Sequence, residues 1–182
     1  MSLVPKKVFF VSGIGYHKIK LAAFEQALRD ACIEKYNLVT VSSILPPYCI
    51  EIQKEDGLKQ LRAGQIIYCV LAREESNEYN RIIASSIGVA KPADKGHYGY
   101  LSEYHDFGKK PEKVADIAED LAAEMLASTL GVSFDPALNY DEKKEVYKMG
   151  GKIVETKSIT THTIVREEDE WACTLAAAIF IV

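Results

Sequence analysis

Residues 171–182 restrict the fold more than any other stretch. They read Trp-Ala-Cys-Thr-Leu-Ala-Ala-Ala-Ile-Phe-Ile-Val, apolar on both parities and carrying a single hydroxyl. A strand with one wet face alternates apolar and polar residues, so a run apolar at every step predicts a central strand covered on both sides. Ala176, Ala177 and Ala178 lack bulk, which lets a helix or a second sheet approach closely. Residues 153–165 also have strand character, and the acidic turn at 166–170 predicts that the two runs form a hairpin.

Two helical patterns accompany these strands. Within residues 19–36, Leu21, Phe24, Leu28 and Cys32 recur at helical spacing with Ala22, Ala27 and Ala31 beside them, predicting an amphipathic helix. A longer helix is predicted from Pro111 to about Leu130, with proline in the first turn, Gly131 as its stop, and Val114, Ile117, Leu121, Met125 and the alanines between them as the buried stripe. Further strands are predicted at 8–12, at 97–105, and at 65–71 and 81–90. The last two read as sheet neighbours across a polar turn at 73–80. Residues 48–62 read as loop and edge, and 131–151 as a surface excursion. Strand runs outnumber helices without regular alternation, so the class is α+β, and 182 residues with 48% apolar content suit one domain.

Several function classes are excluded at this level. A net charge of -4, with 22 basic residues never grouped beyond a pair, argues against nucleic acid as a partner. Cys32, Cys49, Cys69 and Cys173 are scattered, with no Cys-x-x-Cys and no histidine at metal spacing. That pattern predicts no metal site and fits a reducing, cytoplasmic compartment. No apolar run suits a signal peptide or a membrane span. The strand at 8–12 followed by Gly13 and Gly15 invites a dinucleotide reading, but Lys18 stands where a third glycine belongs. The glycines are read instead as a turn whose backbone approaches another element. His17, His97 and His162 find no partner by spacing.

The stretch richest in chemistry is Asn-Leu-Val-Thr-Val-Ser-Ser-Ile-Leu-Pro-Pro at 37–47. Residues 38–44 read as a strand, which Pro46 and Pro47 forbid from continuing because neither can donate to a ladder. Ser42 and Ser43 sit at that junction. A serine hydroxyl in a strained backbone can attack the preceding carbonyl and convert the peptide to an ester. β-Elimination then leaves dehydroalanine, and hydrolysis gives a pyruvoyl group, splitting the chain between 42 and 43. The plain alternative is two small polar residues ending a strand. A second pair, Ser85 and Ser86, lies mid-strand with its carbonyls in the ladder and is read as structural.

Four other positions have two readings each. Glu25, four residues before Arg29, is either a solvated ion pair or a carboxylate aimed at a guanidinium. Asn37 is a turn former or a site residue. Glu103 shares a strand face with Gly99 and Leu101, which predicts burial and a carboxyl able to hold a proton near neutral pH; otherwise it is an exposed edge residue. His105 and Asp106 either relay protons or form an exposed pair at a strand end.

The run 37–47 resembles the processing site of the pyruvoyl-dependent arginine decarboxylases, in which Asn-Leu-x-x-x-Ser-Ser-Ile-x-Pro-Pro surrounds the cleaved bond. Phe24-Glu25-Gln26-Ala27-Leu28, Ala90-Lys91-Pro92 with Asp94-Lys95, Glu103-Tyr104, and the run from Cys173 to Phe180 resemble further family segments in order. The resemblance implies a four-layer αββα sandwich and a pyruvoyl group made from Ser43, with neither PLP nor metal. It implies a Schiff base with the substrate's α-amine, Glu103 as proton donor, Asn37 assisting, and Glu25 and Ser42 on the substrate side. Arginine would go to agmatine and carbon dioxide. Glu25 stands where the family more often has Asp, which leaves another basic amino acid open as substrate; a non-processing oligomeric relative is the reading from a different class. Asn37 and Ser43 lie about 20 Å apart along a strand at about 3.3 Å per residue. If both serve one site they belong to different subunits, in line with the trimer, or dimer of trimers, that the resemblance implies.

Overall fold

The C-terminal run forms β9 (Trp171–Ile181), the middle strand of a five-stranded sheet, with β5 (Ile66–Ser76) and β1 (Lys7–His17) antiparallel on either side. Every residue of β9 between its two ends is buried, as a run apolar on both parities demands. Two short strands extend the sheet in parallel, β2 (Asn37–Thr40) beside β5 and β4 (Ile50–Glu51) beside β1. A second sheet contains β3 (Ile44–Leu45), β7 (Gly99–Phe107), β6 (Ile82–Pro92) and β8 (Ile153–Ile164), in that order. The computed structural model describes residues 3–134 and 153–182; the excursion expected at 131–151 falls outside them from 135 onward.

The alternation of β9 shows how the layers stack. Ala176 and Ala178 meet Val70, Ala72, Ile87, Val89 and Leu101 between the sheets. Leu175, Ala177 and Ile179 face the other way, toward Ala23 and Ala27 of α1 (Lys20–Asp30). On the far side α3 (Pro111–Leu130) covers β6, β7 and β8. The order is helix, sheet, sheet, helix, an αββα sandwich of the α+β class.

Both helices dock mainly through small residues, which corrects most of the large residues of the expected stripes but not all of their alanines. Gly13 and Gly15 do not end the first strand; β1 runs through both, and a Cβ on either would strike the Ala27 or Ala23 carbonyl of α1. At backbone contact only small side chains fit, so Ala23 and Ala27 are buried while Leu21 is 72% exposed and Phe24 and Leu28 pack at the flank. Gly88 of β6 does the same for α3, where its Cβ would meet the Ala118 carbonyl. There Val114, Ala118, Ala122, Ala123, Leu126 and Ala127 are buried, while Leu121 is exposed and Ile117 and Met125 are half-buried. The bounds of α3 match expectation, and Gly131 takes the left-handed cap at φ 66°. Helix α1 is shorter than expected, since Cys32 turns left-handed at φ 65° just past its end.

Pairing differs from the sequence reading in two places. The runs at 65–71 and 81–90 fall in different sheets and face each other, with β5 continuing to Ser76 through half of the expected turn. The runs at 153–165 and 171–182 are not a hairpin either; β8 pairs with β6, and β9 lies in the other sheet. In each case the connection arches from one layer to the next, a choice that strand periodicity does not register. Residues 48–62, read as loop and edge, hold β4 and a short helix, α2 (Lys54–Leu58).

The layer between the sheets is not uniform. Around Ala176, Ala178 and Leu101 it is apolar, but toward one end three side-chain hydrogen bonds cross it. Tyr16 bonds Thr163, Ser85 Oγ meets Thr174 Oγ1 at 2.9 Å, and His105 Nδ1 meets Glu74 Oε2 at 2.7 Å. The last pair stands at the open edge, beside the candidate site.

Candidate active site

The strand expected at 38–44 is two strands in two sheets. β2 ends at Thr40, Val41 N still donates to Cys69 O at 2.9 Å, and β3 begins at Ile44 on β7. Ser42 and Ser43 are the crossing between layers, and the prolines follow once β3 has ended. Ile44 N donates to the Ser42 carbonyl at 2.8 Å, closing a three-residue turn around Ser43, while Leu101 N donates to the Ser43 carbonyl at 2.8 Å. Ser43 is not among the residues with positive φ, and hydrogen bonds to the carbonyls of Ser42 and Ser43 hold the turn.

The Leu101 bond sets the register that brings a carboxylate in. Glu103 lies two residues further along the same face of β7, and Ser43 Oγ donates to its Oε2 at 3.1 Å. Burial was expected for Glu103, but the side chain is exposed. The reason lies in the edge strand: β3 pairs only with Gly99 and Tyr100, so among the described residues β7 beyond Leu101 has no strand neighbour on that side.

The remaining candidates lie elsewhere in the chain. Asn37, at the start of β2, donates from Nδ2 to Gly64 O at 2.8 Å. Glu25 pairs with Arg29 at 2.6 Å on the exposed side of α1. His105 and Asp106 point to opposite faces and do not form a pair. Burial works against the Asp106 carboxylate, yet hydrogen bonds from Lys109 and Tyr104 hold its pKa below the usual range. His105 is held by Glu74, whose Oε1 also accepts from Glu75 N at 2.9 Å. Glu74 was missed because it falls in the stretch read as a turn, though it shares the parity of Val70 and Ala72, which was the available signal.

Residues 7–182 match the family described as pyruvoyl-dependent arginine decarboxylase. The chain belongs to that family. Among its relatives, a probable pyruvoyl-dependent arginine decarboxylase of Chloroherpeton thalassium is 54% identical over 181 residues, all of both chains. One of the same description from Chlorobium luteolum is also 54% identical, over 100% of this chain and 99% of its own. Pyruvoyl-dependent arginine decarboxylase 2 of Methanosarcina mazei is 48% identical over 179 residues, 98% of each chain.

A pyruvoyl group made from the chain itself would need a hydroxyl beside a base, and the residues at the crossing fit that need. Ser43 is half-buried beside an acceptor carboxylate, and the carbonyl before it already accepts a hydrogen bond. Three of the four thiols, two buried and one half-buried, are poor rivals as nucleophiles. Burial pushes the pKa of Cys49 and Cys69 to about 11, and that of Cys173, with Glu75 adding repulsion, to about 12. Among the described residues no group of three His, Cys, Asp or Glu side chains could hold a metal ion, and no helix is long and apolar enough to cross a membrane.

Proposed function

We propose that this chain cleaves itself between Ser42 and Ser43 and then decarboxylates arginine to agmatine and carbon dioxide. The observation that carries the reading is the Ser43 Oγ bond to Glu103 Oε2 at 3.1 Å, made where the Ser42 carbonyl accepts from Ile44 N at 2.8 Å. Glu103 takes the hydroxyl proton as Oγ adds to the Ser42 carbonyl carbon, and the Ile44 N–H stabilises the charge that gathers on its oxygen. The C–N bond breaks as Glu103 passes that proton to the departing Ser43 nitrogen, leaving an ester. Loss of the Ser43 α-proton with elimination of the Ser42 carboxylate gives dehydroalanine, and water hydrolyses its imine tautomer to the ketone and ammonia. The resulting ketone on residue 43 accepts the electrons freed when the substrate loses carbon dioxide, so the electron sink is built from the chain. Glu103, then in its acid form, returns a proton to the substrate's α-carbon.

The assembly follows from what one chain leaves apart. Asn37 and Glu25 hold partners away from Ser43, so their proposed roles, assisting the reaction and binding the guanidinium, are met by a neighbouring subunit. An apolar edge suited to such contact runs from β2 through the crossing to β3, where Val39, Val41 and Ile44 are about two-fifths exposed, and Ile66 of β5 beside β2 is 62% exposed. A trimer or dimer of trimers in the cytoplasm, with sites between subunits and Ser42 beside the substrate, is the arrangement proposed. Unpaired Cys32, Cys49, Cys69 and Cys173 suit that compartment.

Intact-mass measurement on purified protein tests the first step. Two polypeptides, 1–42 and 43–182 with a ketone at the new N-terminus, are expected. A single unmodified chain after prolonged native incubation discards the proposal. Turnover across arginine, lysine and ornithine then tests the substrate, and preference for either of the others would reassign the pocket around Glu25.

A further inference from the structure

Glu103 has to recover a proton after each turnover, and the structure places one titratable side chain to supply it. On β7 the odd-numbered residues face the other sheet, so His105 follows Glu103 on one face, with Cα atoms about 6.6 Å apart at about 3.3 Å per residue. Both side chains are open to solvent, so water reaches each of them. His105 is also oriented. Its Nδ1 meets Glu74 Oε2 at 2.7 Å, and an ionised carboxylate only accepts, so Nδ1 carries the hydrogen and Nε2 is left free. Glu74 is itself held, by Glu75 N on its other oxygen and by β5 in the opposite sheet. A carboxylate that fixes the tautomer of an imidazole is an arrangement that prepares the far nitrogen for proton transfer.

We propose that His105, oriented by Glu74, is the positioning residue that passes protons between solvent and Glu103 through Nε2. The inference rests on the function proposed above. In the forward step imidazolium Nε2–H gives its proton, by way of water, to the Glu103 carboxylate that turnover has left behind; neutral His105, still bonded to Glu74 through Nδ1, then takes a proton from solvent. The charged groups facing His105 are Glu103 on its own strand and Glu74 on β5. From β6 it meets Ser85, its cross-strand partner, whose hydroxyl bonds neutral Thr174 of β9. Asp106 and its partner Lys109 lie on the opposite face of β7.

Two readouts test this, one of them independent of turnover. In uncut Ser43→Ala protein, imidazole nitrogen NMR should find the Nδ1–H tautomer at His105, its signal assigned by its loss in His105→Gln, and Glu103→Gln should displace the His105 titration. An Nε2–H tautomer, or a titration indifferent to Glu103→Gln, overturns the proposal. In cleaved enzyme, His105→Gln keeps a donor for Glu74 and should leave KM within about twofold. Its kcat should fall about tenfold or more, with one limb of the pH profile lost and activity partly restored by added imidazole. A kcat fall with an unaltered profile and no rescue marks a structural role and overturns it, as does wild-type kcat. Failure of His105→Gln to cleave also counts against it, since the relay belongs to turnover. Glu74→Gln, read by the same profile, covers the case in which His105→Gln does not fold. Absence of cleavage in wild type would instead remove the underlying reading.

Discussion

Ser42-Ser43 and Ser85-Ser86 are the same dipeptide with opposite prospects, and the difference is where the sheet puts their partners. Ser85 and Ser86 lie mid-strand in β6, fully buried, with neighbours on both sides from β7 and β8. Their hydroxyls meet other hydroxyls, Thr174 at 2.9 Å and Thr160 at 2.6 Å, groups that do not take a proton at neutral pH. Ser42 and Ser43 lie between sheets, where the carbonyl before the hydroxyl is held by a three-residue turn and the hydroxyl meets a carboxylate. On the proposed function, the pair that reacts is the one that leaves the ladder and meets a base; being a serine pair is not enough.

Substitutions can break this contrast, and the largest effect belongs to Ser43. Ser43→Ala removes the attacking oxygen and should leave one uncut chain without decarboxylase activity, read by intact mass and carbon dioxide release; a cut, active variant would move the reactive residue elsewhere. Glu103→Gln keeps the shape but removes the base. Its cleavage should slow, and turnover in whatever fraction is cut should fall about 10²- to 10⁴-fold. Unchanged rates in both steps would mean that the carboxylate beside Ser43 is incidental.

The structural pair should respond in stability instead. Ser85→Ala strands the buried Thr174 hydroxyl and should lower unfolding free energy by about 1–3 kcal/mol in a urea titration, with cleavage intact. Ser86→Ala should cost less, about 1 kcal/mol, because its partner Thr160 is only half-buried. Were either alanine variant to abolish cleavage while remaining folded, the contrast between the two pairs would fail.

The parts of this protein legible in its sequence are those governed by local pattern. Uniform apolarity placed β9 at the centre of its sheet, and Pro111 with Gly131 bounded α3 to the residue. The expected stripes of both helices were right in several of their alanines and wrong in most of their large residues, for one shared reason. Amphipathic periodicity favours large apolar residues, whereas a strand glycine beneath a helix draws the backbones together and gives the interface to alanine. The strand pairings failed because a short connection joins layers as readily as it joins neighbours, and nothing in residues 166–170 distinguishes the two.

The same division runs through the site. Sequence alone nominated the candidates: residue type and spacing left Ser42-Ser43 and Glu103 with two readings each, and resemblance to family segments singled them out. Only the tertiary structure decided that Ser43 and Glu103 touch, that Glu103 is open to solvent, and that His105 answers to Glu74 rather than to its neighbour Asp106. Those contacts join residues up to 60 positions apart and depend on two sheets closing in one register, a choice made by core packing, to which no local pattern has access.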